Sequence, residues 1–404
     1  MKKQSGKSNR HVGIVLFVNV KFETHATTQR ENTPIFEFGK RFISKILLLK
    51  TRQSMLRCFV NLVFIFFLFA CDVAQKSSHE KSFTWETIPL EKPLSGKKYV
   101  IEELKMPGRL LYKENKLVIQ DDALSDTFLH ILDGTTLDYL FPSGAIGFGP
   151  GEMPSAWSIE SGLDPETFWV HSLEGKLYSE YSLNTGTDPR ALRQIKQQDD
   201  FFLAMGLTWS TDSTLMTFLL DGAEKFVEFK TDGTRLKGYG SWKGMVPGDY
   251  EDHAIADLHQ GKLMGDPEKG IFIKASVFRD RMEILDKHKV ILIGVNGPEN
   301  AIPDFRPSDT GVVTSSDHPL AYMDAFLGRE HIFGLYSGKT DRDIMELGRG
   351  ETDLLVFNLS GEIKELLRLD LPISAFTVDE SRNIIFGITA DRDPGVAVFE
   401  FSLK

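Results

Sequence analysis

The sequence predicts an all-β chain, and more narrowly a six-bladed β-propeller built from four-stranded antiparallel blades. Three observations carry this. Short runs rich in Val, Ile, Phe, Tyr and Leu are punctuated by Asp-Gly, Asn-Thr-Gly and Ser-Gly turn signals, no convincing long amphipathic helix is present, and one strand–turn–strand unit recurs about every 50 residues. The unit is found at 128–132 before Asp133-Gly134, at 177–183 before Asn184-Thr185-Gly186, and at 225–229 before Asp232-Gly233. It returns at 281–285 before Asp286-Lys287-His288 and, after an interval stretched to about 70 residues by an insertion, at 354–359 before Ser360-Gly361. Each unit has two further strands upstream, as at 109–112 with 116–120 and at 206–209 with 215–219. Four strands at this period are the signature of a propeller blade.

The two ends complete the count. Residues 396–403 read as a third strand and then stop where a turn and a fourth strand should follow. The missing strand is supplied from the other end: 98–104 resembles the fourth strands at 361–369 and 234–239, so it is expected to complete the last blade and close the ring. Five internal blades and one shared between the ends make six. A seventh would require a degenerate blade inside the insertion at 297–320.

Upstream of the propeller the chain has a different character. Residues 59–70 are almost wholly apolar, preceded by Met55 and Arg57 and closed by Leu68-Phe69-Ala70-Cys71. The stretch is too short for a spanning helix of about 20 residues and has the parts of a secretory signal. With cysteine after the cut, it resembles a bacterial lipoprotein signal, which implies lipidation at Cys71 and an extracytoplasmic, membrane-anchored protein of the cell envelope. The plan is then a leader at 1–54 read as an overcalled or non-native start, a signal peptide at 55–70, a polar tether at 71–95, and the propeller at 96–404. A genuine basic leader binding nucleic acid or anionic lipid is the alternative for 1–54.

Cleavage before Cys71 removes 12 Lys or Arg and 3 Asp or Glu, which moves the net charge from −10 to −19. So acidic a surface repels nucleic acid and anionic headgroups and attracts cations. Cys58 lies in the signal and Cys71 is the lipid site, so the mature chain forms no disulfide and depends on its core.

Specific segments resemble a known family. Gly147-Phe148-Gly149-Pro150-Gly151-Glu152-Met153 is similar to the Gly-x-Gly-Pro-Gly-Glu-Phe segment of TolB-like six-bladed β-propeller lipoproteins, with Phe148 where Arg is common and Met153 for an aromatic residue. Residues 321–326, 331–339, 354–357 and Ser360-Gly361 extend the similarity over most of 96–404. The resemblance implies fold and envelope setting; the family's members are largely without an assigned activity.

The residues themselves support two function classes. Loops at 242–259 and 297–320 are long and rich in Pro, Gly and charge, and loops of this length on a rigid scaffold commonly bind something. The first reading is therefore a binding module for a protein, peptide or glycan, with Glu152, Tyr250, Phe305, Arg306 and Tyr322 as candidate contacts and no catalytic residue. The second is a calcium-dependent hydrolase or lactonase, with Glu152, Asp257, Asn296 and Asp324 as candidate ligands facing a central channel, since carboxylate and amide oxygens suit a hard cation. No spacing in the sequence brings these four together. His253, His318 and His331 lack zinc-ligand spacing, no Gly-x-Ser-x-Gly elbow is present, and the glycine segment leads toward a strand, not the helix N-terminus a phosphate cradle needs. Trp157, Trp169, Trp209 and Trp242 fall mostly in strand patterns, where packing between blades accounts for them.

Overall fold

The computed structural model describes residues 78–403, apart from 124, 185–187, 309–310, 349, 390 and 392. The segments read as leader and signal peptide, and Cys71, lie outside the described residues. Blade 1 comprises Pro107–Lys113, Lys116–Asp121, Thr127–Asp133 and Tyr139–Ala145, and blade 2 comprises Ser158–Glu160, Thr167–Ser172, Leu177–Ser182 and Arg193–Lys196. Blade 3 is Ala204–Trp209, Thr214–Leu219, Phe226–Lys230 and Arg235–Tyr239; blade 4 is Gly261–Asp266, Ile271–Ser276, Arg281–Asp286 and Ile291–Asn296. Blades 5 and 6 share one long bent strand, Ile363–Asp379. Its first part pairs with Glu351–Asn358, beyond Tyr322–Leu327 and His331–Tyr336, and its second part begins blade 6 by pairing with Ile384–Thr389. Gly395–Glu400 follows, and Gly96–Val100 pairs antiparallel with it to close the ring, with Val396 opposite Tyr99.

Six blades also follow from the packing. Side chains alternate between the two faces of a strand, and here both faces are covered, as in Thr167–Ser172, where every residue is buried. Val118 and Val170 meet in the core between blades 1 and 2, whereas Trp169, the neighbour of Val170, packs against Trp209 in the core between blades 2 and 3. Phe218 with Phe272 fills the space between blades 3 and 4, Tyr322 with Ile284 that between blades 4 and 5, Leu354 with Phe376 that between 5 and 6, and Leu117 with Phe386 that between 6 and 1. One apolar cluster thus serves each of six interfaces. Among its described residues, the insertion at 297–320 holds a two-stranded hairpin, Phe305–Ser308 with Gly311–Thr314, and no blade.

Two expectations need correction. The tether predicted for 71–95 is, from Ser78 onward, an ordered belt around the outside of the ring. Ser78–Ser82 adds a fifth strand parallel to Ile291–Asn296 of blade 4, Glu91–Leu94 adds one parallel to 366–369 of blade 5, and Gly96–Val100 then completes blade 6. Between the first two, Phe83 and Trp85 pack into the core between blades 4 and 5, Phe83 edge-on to Phe357 at 5.4 Å and Trp85 edge-on to Tyr336 at 5.5 Å. The polar segment escaped the sequence pattern because an added edge strand is held by backbone hydrogen bonds, which demand no apolar period. The closing strand is also shorter than expected: Ile101 and Leu104 are buried, but beyond its end.

Candidate functional site

In an antiparallel four-stranded blade, the loop between strands two and three and the connector to the next blade emerge at the same end. The two long loops singled out from the sequence are both such connectors, one entering blade 4 and one leaving it, so the topology places them side by side. They fold together as a cap with its own core. The first carries helix α1, Asp252–Leu258, whose Ile255, Ala256 and Leu258 pack with Trp242 and Val246, and against them lie Tyr250, Phe305 and Val312. Tyr250 and Phe305 meet at 4.9 Å between ring centroids. Asp257 accepts the Val312 N–H at 2.7 Å across the two loops, and burial raises its pKa against that bond. The first loop is fastened at its base by Trp242, stacked on His259 at 4.4 Å. The second is fastened by His318, which bonds the Phe278 carbonyl at 2.8 Å.

Beneath the cap lies a cluster of buried charge that sequence reasoning missed. Glu283, wholly buried, receives hydrogen bonds from Lys225 and Arg281, each at 2.6 Å. Arg281 also grips Glu80 of the belt through both terminal nitrogens, at 2.8 and 2.9 Å, and bonds Asn296 Oδ1 at 2.7 Å. Lys274, with no exposed surface, places its Nζ 4.0 Å from the centroid of Trp242 and 4.7 Å from that of Phe218. Burial pushes its ammonium well below the usual lysine range, and Lys225 and Arg281 add to this while Glu283 opposes it. His259 is held neutral by burial and by the Arg279 guanidinium; its Nδ1 faces the Ile255 carbonyl at 2.8 Å, so Nδ1 carries the proton and Nε2 accepts from Arg279. The available signal was a charged residue in mid-strand, Lys274 within Ile271–Ser276 opposite Glu283 within Arg281–Asp286.

Of the candidate contacts, Tyr250, Phe305 and Arg306 come together on the cap, and the others are dispersed. Tyr322 is fully buried at the start of the inner strand of blade 5, and its hydroxyl donates to the Gly297 carbonyl at 3.2 Å, so it supports the cap from below and offers no contact surface. Glu152 closes its own loop by accepting the Gly149 N–H at 3.0 Å and faces Arg190 at 3.8 Å. That loop reverses at Gly151, whose φ of 76° and close approach to Arg190 require glycine. Arg306 is exposed on the cap hairpin. Asn296 serves the outer edge of blade 4, and Asp324 accepts the N–H groups of Ala325 at 2.9 Å and Phe376 at 3.1 Å, tying the inner strands of blades 5 and 6 together. Glu152, Asp257, Asn296 and Asp324 therefore sit on four separate elements, and among the described residues no three His, Cys, Asp or Glu side chains assemble as a metal site.

Glu160 and Lys262, from inner strands that are not neighbours in the ring, lie 3.9 Å apart across the channel. Burial lifts Glu160 to about 7; Lys262 opposes the shift and Asp324 adds to it.

Three comparisons bear on this architecture. No curated protein matches the chain. A crystal structure of a Bacteroides fragilis protein, named for export, superposes with a TM-score of 0.51 at 12% identity, covering 81% of this chain and all of that one. A member of the DUF4221 family from Bacteroides vulgatus gives 0.45 at 10% identity, covering 76% and 99%. A family model described as TolB-like 6-blade propeller-like matches residues 84–381, a span that takes in the belt from Thr84, blades 1 to 5 and, of blade 6, its inner and closing strands. With six interfaces, a ring closed by its N-terminal strand and this match over most of its length, the chain belongs to the TolB-like six-bladed propeller family.

Proposed function

We propose that the protein is a lipid-anchored binding module of the cell envelope, carried on Cys71, that engages a protein, peptide or glycan through the cap over blade 4. The observation that carries this reading is the cap: two connectors 38 residues apart in sequence share one apolar core and expose a single mixed surface. That surface presents Ile302 and Val313, 51% and 44% exposed, beside Arg306 and the exposed carboxylates Asp249, Glu251, Asp252, Asp304 and Asp317. Apolar groups among a majority of carboxylates suit a partner of opposite net charge, and a preformed surface loses little entropy on binding. The signal-like segment ending at Cys71 supports the envelope setting, and the name of the Bacteroides fragilis neighbour is consistent with it.

A photo-crosslinking residue placed at Ile302 or Arg306 is expected to give adducts in the envelope that the same group at Leu163 or Leu236, exposed elsewhere, does not give. The same adducts from all four positions would sink the cap as the binding surface. Incorporation of an alkyne fatty acid, abolished by Cys71→Ser, tests the anchor.

A further inference from the structure

Lys274 stands in mid-strand in blade 4, beneath the cap, with no exposed surface and no hydrogen bond to its Nζ. Glu283 lies opposite it in register, but that carboxylate is already answered by Lys225 and Arg281, each at 2.6 Å. What covers the amine is aromatic: the Trp242 ring, its centroid 4.0 Å away, and Phe218 of blade 3 at 4.7 Å. Trp242 is also the residue that fastens the cap's first loop, through its stack on His259. We propose that Lys274 is a proton-coupled latch for the cap, uncharged while Trp242 covers it and taking up a proton when Trp242 lifts away.

Two effects compete for the proton while the cap is closed. A desolvated cation over an aromatic face gains about 2 kcal/mol. Removing an ammonium from water costs several kcal/mol even after the protein relaxes, and a buried group with no hydrogen-bond acceptor gives up its charge instead. The surroundings point the same way. Lys225 faces the amine from blade 3, Arg281 and Glu283 from the next strand of its own blade, and His259, with Arg279 bonded to it, from the end of α1. Across the cluster, the cations Lys225, Arg279 and Arg281 are matched by the carboxylates Glu283, Glu80 and Asp280, so the charges balance with none on Lys274. The direction of its titration agrees, since burial is the largest cause holding it well below the ordinary lysine value of 10.5. Lifting Trp242 admits water and restores that value. Because the open state binds the extra proton, closure strengthens as pH rises and weakens as pH falls from 10.5 toward the closed-state pKa. The latch acts at the floor of the cap and stands whether or not the cap's outer surface binds a partner.

Native-state hydrogen exchange of the whole protein is the test. The amides of Trp242, Ile255 and His259 are hydrogen-bonded in the closed cap, and their exchange rate divided by the intrinsic rate at each pH gives the opening constant. Measured from pH 9 down to pH 7, above the ordinary histidine value of 6.5, that constant is expected to rise, approaching about tenfold per pH unit. Amides of 167–172 in blade 2 should show no such slope. Lys274→Met, close in volume and with nothing to protonate, should abolish the slope. Lys274→Arg, whose charge cannot be removed, should also abolish it and should raise the opening constant above the parent's at pH 9. A parent opening constant that does not change with pH, a slope that survives in Lys274→Met, the same slope in blade 2, or no increase at pH 9 in Lys274→Arg would each overturn the proposal. The parent slope is read without any substitution, so the test holds even where a variant fails to fold.

Discussion

Replacing Arg281 with methionine isolates what holds the belt to the ring. The guanidinium is 2% exposed and makes two bonds to Glu80, one to Glu283 and one to Asn296. Without it, Glu283 keeps only Lys225 among the hydrogen-bond donors described above, inside a site that water does not reach. Breaking a buried pair by removing one partner costs about 3–5 kcal/mol. Because Lys225 remains, the lower end, about 3 kcal/mol, is expected. Glu80→Gln probes the same contact from the belt side. The Arg281 hydrogen bonds hold the Glu80 carboxyl down to about 2 from 4.5, against the desolvation that opposes them. That shift corresponds to about 3 kcal/mol before screening. The Glu80 side chain is 48% exposed, which reduces the figure to about 1–2 kcal/mol. Since the folded pKa is depressed, this contribution is fully present above pH 4.5 and is lost as pH falls toward 2. Urea unfolding at pH 7 and pH 3 measures both variants, and hydrogen exchange at residues 78–94 reports whether the belt loosens first. A loss below about 1 kcal/mol for Arg281→Met, or belt amides that exchange as in the parent chain, would refute the reasoning.

Trp242→Ala should cost about 3–5 kcal/mol, as large aromatic truncations in cores do, and should expose residues 243–258 to limited proteolysis before the blades; uniform loss of protection would mean the cap has no separate fastening. Glu160 has a folded pKa raised to about 7 by burial, so its contribution is intact below pH 4.5 and is lost as pH rises through 7. Glu160→Gln should therefore raise the Tm at pH 8 and leave it nearly unchanged at pH 4.5, and an equal shift at both would show that ionisation is not the cause. Calcium added after EDTA should leave the Tm where it was, given four candidate ligands on separate elements; a large calcium-dependent rise would mean that the metal binds the native state selectively and would put the channel hydrolase ahead.

Most of the ring was legible because strands buried on both faces write themselves as apolar runs, and each third strand is followed by a turn whose chemistry is hard to mistake. The closing strand was legible for a different reason: 98–104 resembles the fourth strands at 361–369 and 234–239, although Gly96–Val100 itself is only partly buried. The belt was not: Ser-His-Glu-Lys-Ser pairs through its backbone at an edge, and its buried side-chain link, Glu80 to Arg281, joins residues 201 positions apart. The cap was half legible. Its two loops stood out in length and composition, but α1 has only seven residues, too few for periodicity, and no local signal says that Tyr250 will meet Phe305. Tyr322 was misread because a tyrosine at the end of a long insertion looks exposed, whereas the inner strand turns it down between blades 4 and 5. Lys274 and Glu283 read as the solvent half of an alternating strand, which holds for a sheet with one wet face and fails in a blade packed on both sides.

The belt also defines how the molecule bears load. A pull on the chain from the N-terminal side of Ser78 is applied along a strand lying parallel to the rim of blade 4, so its backbone bonds are sheared together and not peeled one at a time. What remains of the force passes to a second strand on blade 5 and only then to Gly96–Val100, the clasp of the ring. Two sacrificial strands therefore stand between tension and the seam where the circle would open.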